Sequence, residues 1–202
     1  TLENIDPIRF ISNYSSGKQG YEIAKQLVNR GAKVTLISGP TNIRSPQNIK
    51  LITVKTADEM LLQTNKYNKK IDIAVFCAAI ADFKVKKISN KKIKKNTLTT
   101  LKLIKNIDIL KKISTQKTNR PKFIVGFSAE TGGKILAKKK LEEKNCDMII
   151  FNKISKKNKV FGLDENKISI LTKNKIVNYS KFSKLKCANL IVDSIYNEIK
   201  NK

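Results

Sequence analysis

The chain has 202 residues, 40% of them hydrophobic, and 42 Lys and Arg against 16 Asp and Glu give a formal charge of +26. That length suits one α/β domain burying roughly 70% of its unfolded surface. There is no histidine, which excludes a Ser-His-Asp triad, a Cys-His dyad and a zinc hydrolase.

The run Ile5-Asp-Pro-Ile-Arg-Phe-Ile-Ser-Asn-Tyr-Ser-Ser-Gly-Lys-Gln-Gly20 is polar and turn-rich and leads into an amphipathic helix over 21–30, closed by Gly31. Ser15 and Ser16 are candidate N-caps, and Gly17 and Gly20 allow close backbone approach. Free N–H groups at a helix start favour an anion such as phosphate. A capped helix after a surface loop remains the plainer alternative. Strands are expected over 33–37 and 51–55, and Thr56-x-x-Glu59 is a capping box opening a helix to about residue 65. The apolar run 71–77 predicts a central parallel strand covered on both faces. Further strands are expected over 96–104, 122–127 and 147–151, with helices over 108–114 and 133–144. Strands 167–172 and 175–179 flank Lys173-Asn174 as an edge hairpin. A last helix spans 183–199, with Ala188, Ile191, Ile195 and Ile199 on one face. Repeated βαβ units predict an α/β, Rossmann-like three-layer fold with a mainly parallel twisted sheet.

Two standard phosphate motifs fail. Gly17-Lys18 is followed by Gln19 and lacks the earlier glycine of a Walker A loop. The dinucleotide fingerprint is reduced to Gly17-x-x-Gly20, and strand 33–37 ends in Ser38-Gly-Pro40 without the ribose-binding acid. The basic excess is nearly all lysine, spread over almost every segment, with arginine only at Arg9, Arg30, Arg44 and Arg120. Without an aromatic-interleaved patch, this predicts no specific nucleic-acid partner, although the field attracts small polyanions. Cys77, Cys146 and Cys187 are odd in number and far apart, as expected of reduced thiols in a cytoplasmic protein. No apolar run approaches the ~18 residues of a membrane span.

Ligands of such sheets bind beyond the carboxyl ends of the strands. That rule selects Ser38-Gly-Pro40, Ala78-Ala-Ile-Ala-Asp82, Lys105-Asn-Ile-Asp108 and Ser128-Ala-Glu-Thr131. Asp82 is a ligand carboxylate or a turn residue. The segment 84–95 holds Lys84, Lys86, Lys87, Lys91, Lys92, Lys94 and Lys95. It is a solvated charge run or a cationic flap over a polyphosphate.

Taken together and in order, Asp6-Pro-Ile-Arg-Phe-Ile-Ser-Asn-Tyr-Ser-Ser-Gly-Lys18, Ser38-Gly-Pro40, Ala78-Ala-Ile-Ala-Asp82, Lys92-Ile-Lys-Lys95, Lys105-Asn-Ile-Asp108 and Gly126-Phe-Ser-Ala-Glu-Thr131 carry a resemblance. The chain resembles the phosphopantothenoylcysteine synthetase (phosphopantothenate–cysteine ligase) family, the ligase domain of the bifunctional bacterial decarboxylase/ligase of coenzyme A biosynthesis. The match runs to about Asn152. The resemblance implies that 4′-phosphopantothenate attacks the α-phosphate of CTP, with Mg²⁺, to give an acyl-cytidylate that cysteine then converts to the amide.

Residue by residue, the resemblance makes Asn13 the amide donor to that intermediate and Lys92 the catalytic, nucleotide-contacting flap lysine. Phe76, Cys77, Ala78, Asp82, Ile107, Asp108, Ile109, Leu110, Phe127, Lys140 and Lys144 would line the nucleotide site. Ser16, Gly17 and Lys18 would hold the substrate phosphate. No protein-only metal site and no flavin are expected, and a homodimer is, with the flavin decarboxylase fused or separate. Three departures stand out. Ile107 replaces a usual Pro, and Lys91 stands where an acid is common. Family members also begin this domain with an apolar strand and a Gly-containing loop ending in Thr. Here the chain starts at about that Thr1, so 1–202 is expected to be one ligase domain lacking its first strand. The alternatives are a nicotinamide-dependent oxidoreductase and a basic nucleic-acid-binding Rossmann-like protein.

Overall fold

The computed structural model of the chain describes residues 1–68, 71–97, 100–154 and 163–200. Strands β1 (Glu3–Asn4) and β2 (Phe10–Ile11) form a small antiparallel hairpin across the start of the turn-rich run, where no strand was expected. Helix α1 (Lys18–Asn29) follows, starting earlier than its apolar periodicity implied. Its N-cap is Gly17, whose φ of 79° is left-handed, and no side chain caps it. The expected serine caps serve elsewhere. Ser15 Oγ accepts from the Gly17 amide at 3.4 Å, and the Ser16 carbonyl accepts from Thr41 Oγ1 at 3.2 Å. Gly17 instead enters the helix from the left-handed region, a backbone conformation that favours glycine. Gly31, with φ of 81°, closes the helix as expected, its amide donating to the Val28 carbonyl at 2.8 Å.

Strands β3 (Val34–Ser38) and β4 (Ile49–Thr53) pair in parallel. Helix α2 (Ala57–Asn68) then starts at the capping box, where Thr56 Oγ1 accepts from the Glu59 amide at 3.2 Å. Buried Glu3 adds a second cap by accepting from the Ala57 amide at 3.0 Å. Strand β5 (Ile73–Phe76) is followed by β6 (Phe83–Val85), a 3₁₀ turn (Lys95–Thr97) and β7 (Leu103–Lys105). The strand expected over 96–104 is therefore corrected to that turn and a short strand, with 98–99 outside the described residues. All three residues of β7 are exposed, and among the described residues β7 pairs only with β6. Alternation there has no core face to serve.

Helix α3 (Ile109–Ser114), strand β8 (Phe123–Glu130), helix α4 (Lys134–Glu143), strands β9 (Met148–Lys153), β10 (Glu165–Thr172) and β11 (Ile176–Ser183) and helix α5 (Lys184–Lys200) complete the chain. The main sheet runs β11-β10-β9-β8-β5. β5, β8 and β9 are parallel, and β10–β11 is the antiparallel edge hairpin expected from its turn.

Side chains of the sheet alternate between two helical layers. Phe123, Val125, Met148, Ile150, Ile168 and Ile170 face α1 and α5. Ile124, Ile149, Phe151 and Leu171 face α3 and α4. The fold is thus a three-layer, mainly parallel α/β arrangement. Strand β5 is not internal as expected. Among the described residues it ends the ladder, its residues are half-buried, and β3 bonds only to β4. Ile199, the last member of the expected apolar face of α5, is 40% exposed, while Ile191 and Ile195 are buried. The helix outruns the sheet beneath it.

Candidate functional site

The carboxyl ends of β3 and β5 lie beside the entry to α1. Asn13 Nδ2 donates to the Ala79 carbonyl at 2.7 Å, and Asn13 Oδ1 accepts from the Ser15 amide at 3.2 Å. The side chain is thereby fixed against the small-residue loop that follows β5. A Cβ placed on Gly20 would stand 3.8 Å from Cys77 Sγ, so α1 starts directly over that strand end. Thr1 also reaches this point, its ammonium donating to the Ala79 carbonyl at 3.4 Å. Burial pushes the Cys77 thiol up to about 12, so that side chain is neutral at neutral pH.

Asp82 is exposed beyond Ala81, and its carbonyl accepts from the Asn106 amide at 2.8 Å. That bond ties the loop after β5 to the loop after β7. Asp108 caps α3, its Oδ1 accepting from the Lys111 amide at 3.0 Å, and its Oδ2 pairs with Lys144 at 3.0 Å. Lys140 pairs with Glu130 at the end of β8. The helical spacing of Lys140 and Lys144 does bring both to one side of α4, each already matched to a carboxylate. Ile109 and Leu110 are buried at 1% and 7% exposure, while Ile107, Phe76 and Phe127 are half-buried against the core. Contact from Ile109 and Leu110 to a ligand is left to their backbone.

The flap rises on β6 and β7. Lys84 is held by Asp58 at 2.5 Å, and Lys92 is exposed. A groove of about 520 Å³ in the flap is lined by Val85, Ile93 and Leu101 with Lys86, Lys87 and Lys102. Ser16, Gly17 and Lys18 lie together at the start of α1, and Lys18 pairs with Asp164 at 2.5 Å. Among the described residues no three metal-ligating side chains converge.

Sequence reasoning missed several polar groups around this end of the sheet. Lys184, 7% exposed, opens α5, and its carbonyl accepts from Gln19 Nε2 at 3.2 Å. Burial, and then the Lys18 ammonium, hold Lys184 below the ordinary lysine range. Nothing in the run Ser183-Lys184 signals this. Asn152, beside Ala129 at the end of β9, is 5% exposed with no hydrogen-bond partner at Oδ1 among the described residues. Its place just past the apolar run 147–151, where parallel strands present ligand groups, could have singled it out.

Comparison with known proteins places the chain in a family and a fold. A family profile described as the DNA/pantothenate metabolism flavoprotein C-terminal domain matches residues 1–199. Relatives described as coenzyme A biosynthesis bifunctional protein CoaBC include one from Haemophilus influenzae, 45% identical over 197 residues, and one from Borreliella burgdorferi, 42% identical over 200. These alignments take 96% and 97% of this chain but 49% and 50% of the relatives, so the chain spans about half their length. A crystal structure of the C-terminal domain of CoaBC superposes with a TM-score of 0.84 at 31% identity, covering 100% of this chain and 92% of that one. The DNA/pantothenate metabolism flavoprotein from Streptococcus pneumoniae shares the fold, with a TM-score of 0.80 at 18% identity over 98% of this chain and 95% of its own. The chain belongs to the DNA/pantothenate metabolism flavoprotein C-terminal domain family, the phosphopantothenoylcysteine synthetase part of CoaBC proteins.

Proposed function

We propose that the chain carries the ligase activity of coenzyme A biosynthesis: CTP-dependent joining of 4′-phosphopantothenate to L-cysteine. In the first step a substrate carboxylate oxygen bonds to the α-phosphorus of CTP, and pyrophosphate leaves. In the second, the cysteine amino nitrogen bonds to the acyl carbon, CMP leaves with the carboxyl oxygen, and one amine proton is released. Neither step needs a histidine. Phosphoryl transfer rests on alignment and neutralisation of charge, and aminolysis on donors aimed at an oxyanion.

One observation carries this proposal. The Asn13 amide is fixed by the Ala79 carbonyl at 2.7 Å, at the end of β5 and beside the start of α1. A neutral donor is thereby aimed before substrate arrives, next to loops small enough to admit a nucleotide. Lys92 on the flap supplies the mobile positive charge. Asp108 and Lys144, and Glu130 and Lys140, form a rim that can exchange internal pairing for ribose or phosphate contacts. Magnesium fits as an ion held mainly by the triphosphate, with exposed Asp82 as the nearby carboxylate, and it would neutralise phosphate charge. Ser16, Gly17 and Lys18 would receive the phosphopantothenate phosphate at the open start of α1.

The proposal extends to the assembly. A flavin-dependent decarboxylase, fused or separate, would supply the other half of a CoaBC-like protein, in the cytoplasm. A homodimer would form through the adjoining β1–β2 and β6–β7 hairpins. These leave Ile8, Phe10, Phe83, Leu103 and Ile104 between 39% and 61% exposed, an apolar patch suited to association.

The test follows amide product by mass spectrometry with 4′-phosphopantothenate, cysteine and Mg²⁺, using CTP or ATP, in the chain as it stands and with upstream residues added. Product with CTP is expected. Asn13→Ala should still release pyrophosphate while amide formation falls sharply. Equal loss of both steps would remove Asn13 from the second step, and no product with either nucleotide would end the ligase proposal.

A further inference from the structure

The β1–β2 hairpin grips the flap through one ion pair whose carboxylate is buried. Asp6 is 2% exposed. Its Oδ1 accepts from the amides of Ile8 at 2.9 Å and Arg9 at 2.8 Å, which shapes the turn between the strands. Its Oδ2 accepts from Arg9 Nε at 3.0 Å, pairs with Arg9 Nη2, and reaches across the fold to the Ile93 amide at 3.2 Å. Arg9 Nη2 also donates to the Ile93 carbonyl at 2.9 Å. Both backbone groups of Ile93, in a segment otherwise rich in exposed lysine, are thus held by one carboxylate and one guanidinium. A second tether lies four residues earlier, where the Ser89 amide donates to the Ile5 carbonyl at 3.0 Å. The span between them is short and closed on itself, since Ser89 Oγ donates to the Lys91 carbonyl at 2.6 Å.

We propose that Asp6 is a positioning residue for Lys92: with Arg9 it clamps the Ile93 backbone and so fixes where the flap lysine stands. This rests on Lys92 being the flap lysine of the ligase reaction. The chemistry favours a clamp over a simple turn. A buried carboxylate must have its lone pairs filled. A turn alone would need only the two local amides and the arginine, yet this pair spends an acceptor and a donor on a residue 84 positions from Arg9. Fixing the base of the flap while leaving the Lys92 side chain exposed lets the ammonium sweep a small volume. Less ordering then remains when a polyphosphate binds. The guanidinium beside Asp6, and the amides it accepts from, hold its carboxyl well below the usual carboxylate range, so the clamp is charged throughout the neutral range.

Asp6→Asn preserves size but cannot pair with Arg9 as an anion. Arg9→Lys keeps the charge and removes the guanidinium bond to the Ile93 carbonyl, and it serves should Asp6→Asn fail to fold. Amide hydrogen exchange is measured first, without substrates. Exchange over 89–95 should rise on the order of tenfold in either variant, as expected for loss of a charge-assisted bond, and stay unchanged in Lys92→Gln. Unaltered exchange at Ile93 overturns the clamp whatever the enzyme does. In the ligation assay, Asp6→Asn combined with Lys92→Gln should lose no more activity than Lys92→Gln alone. Full multiplication of the two losses would show that Asp6 does not act through Lys92. If the unaltered chain makes no amide product, the ligase proposal fails while the exchange measurement still decides the clamp.

Discussion

Adding one methyl at two different glycines should move stability in opposite directions. At Gly126, in the middle of β8, an added Cβ would lie 2.7 Å from Leu110 Cδ2, 2.8 Å from Ile149 Cδ1 and 3.5 Å from Cys146 Sγ. Carbon atoms sit comfortably at about 3.5–4.0 Å, so both side chains must retreat by roughly 1 Å. They have little room, since Leu110 is 7% and Ile149 1% exposed. Overpacking of this kind costs about 1–3 kcal/mol, offset by about 0.4–1 kcal/mol from the stiffer unfolded chain. Gly126→Ala is therefore expected to lower stability by about 1–2 kcal/mol, or roughly 2–8 °C in Tm for a domain this size. At Gly20, inside α1, the nearest atoms to an added Cβ are 3.8 Å away. There the helix gains about 0.5–1 kcal/mol, so Tm should rise by about 1–4 °C. Ligation by Gly20→Ala should nevertheless fall, because the methyl stands over Cys77 at the strand end where a nucleotide would approach. Thermal unfolding followed by circular dichroism, checked in urea, reads both. A Tm for Gly126→Ala at or above that of the parent would refute the packing argument, and so would equal losses at the two sites.

Within the flap, Lys92→Gln should reduce ligation far more than Lys87→Gln; similar losses, measured as kcat/KM, would return the segment to a solvated charge run. Replacing Phe10 with Glu should shift the protein towards monomer in light scattering after size-exclusion chromatography, and an unchanged mass would move the dimer interface elsewhere. The native thiols are held neutral by burial, Cys77 and Cys146 at about 12 and Cys187 at about 11, against about 8.5 in an unfolded chain. The native state thus binds more protons above about pH 8.5, and Tm should fall as pH rises from there towards 11. Lys184, lowered by burial, opposes part of that slope. At pH 8 a thiol reagent should label native Cys146 and Cys187 slowly and all three cysteines quickly in urea; rapid native labelling of those two would refute their burial. Asp6 works at the other end of the scale. Lowered by Arg9 and by backbone amides, it contributes stability above about pH 4 that is lost as pH falls below the unfolded carboxylate value. Asp6→Asn should flatten the acid side of a Tm–pH curve, and an unchanged acid slope would show that the pair is not the source.

The elements that stack onto the sheet were legible because two periodicities agree along the chain. Ile23, Ala24 and Leu27 recur at helical spacing, and β8 and β9 are continuous apolar runs with helices on both faces. What escaped were elements with no core to bury. The β1–β2 and β6–β7 hairpins are two or three residues per strand, and their residues include Phe10, Phe83, Leu103 and Ile104, all exposed. Hydrophobic pattern reports burial, so a hairpin that buries little leaves no pattern to read. The start of α1 was misplaced because its first residues, Lys18-Gln19-Gly20, carry no apolar periodicity to read.

The candidate site divides along the same line. Ala78 and Asp82 sit in the loop after β5, where topology alone nominates them, while Asn13, after the short β2, is marked only by the family resemblance. The groups that hold those loops in place are contacts between distant segments. Asp6 meets Ile93, Lys18 meets Asp164, and Gln19 meets Lys184, at separations of 87, 146 and 165 residues. Each bond joins an ordinary surface-type residue to a partner that only the folded chain supplies. A loop motif therefore tells which atoms can do chemistry, while the long-range polar contacts decide where those atoms stand. In this chain the two meet within one peptide, at Lys92 and Ile93, which is why the flap is the segment where a conservative change away from any substrate should be felt in the reaction.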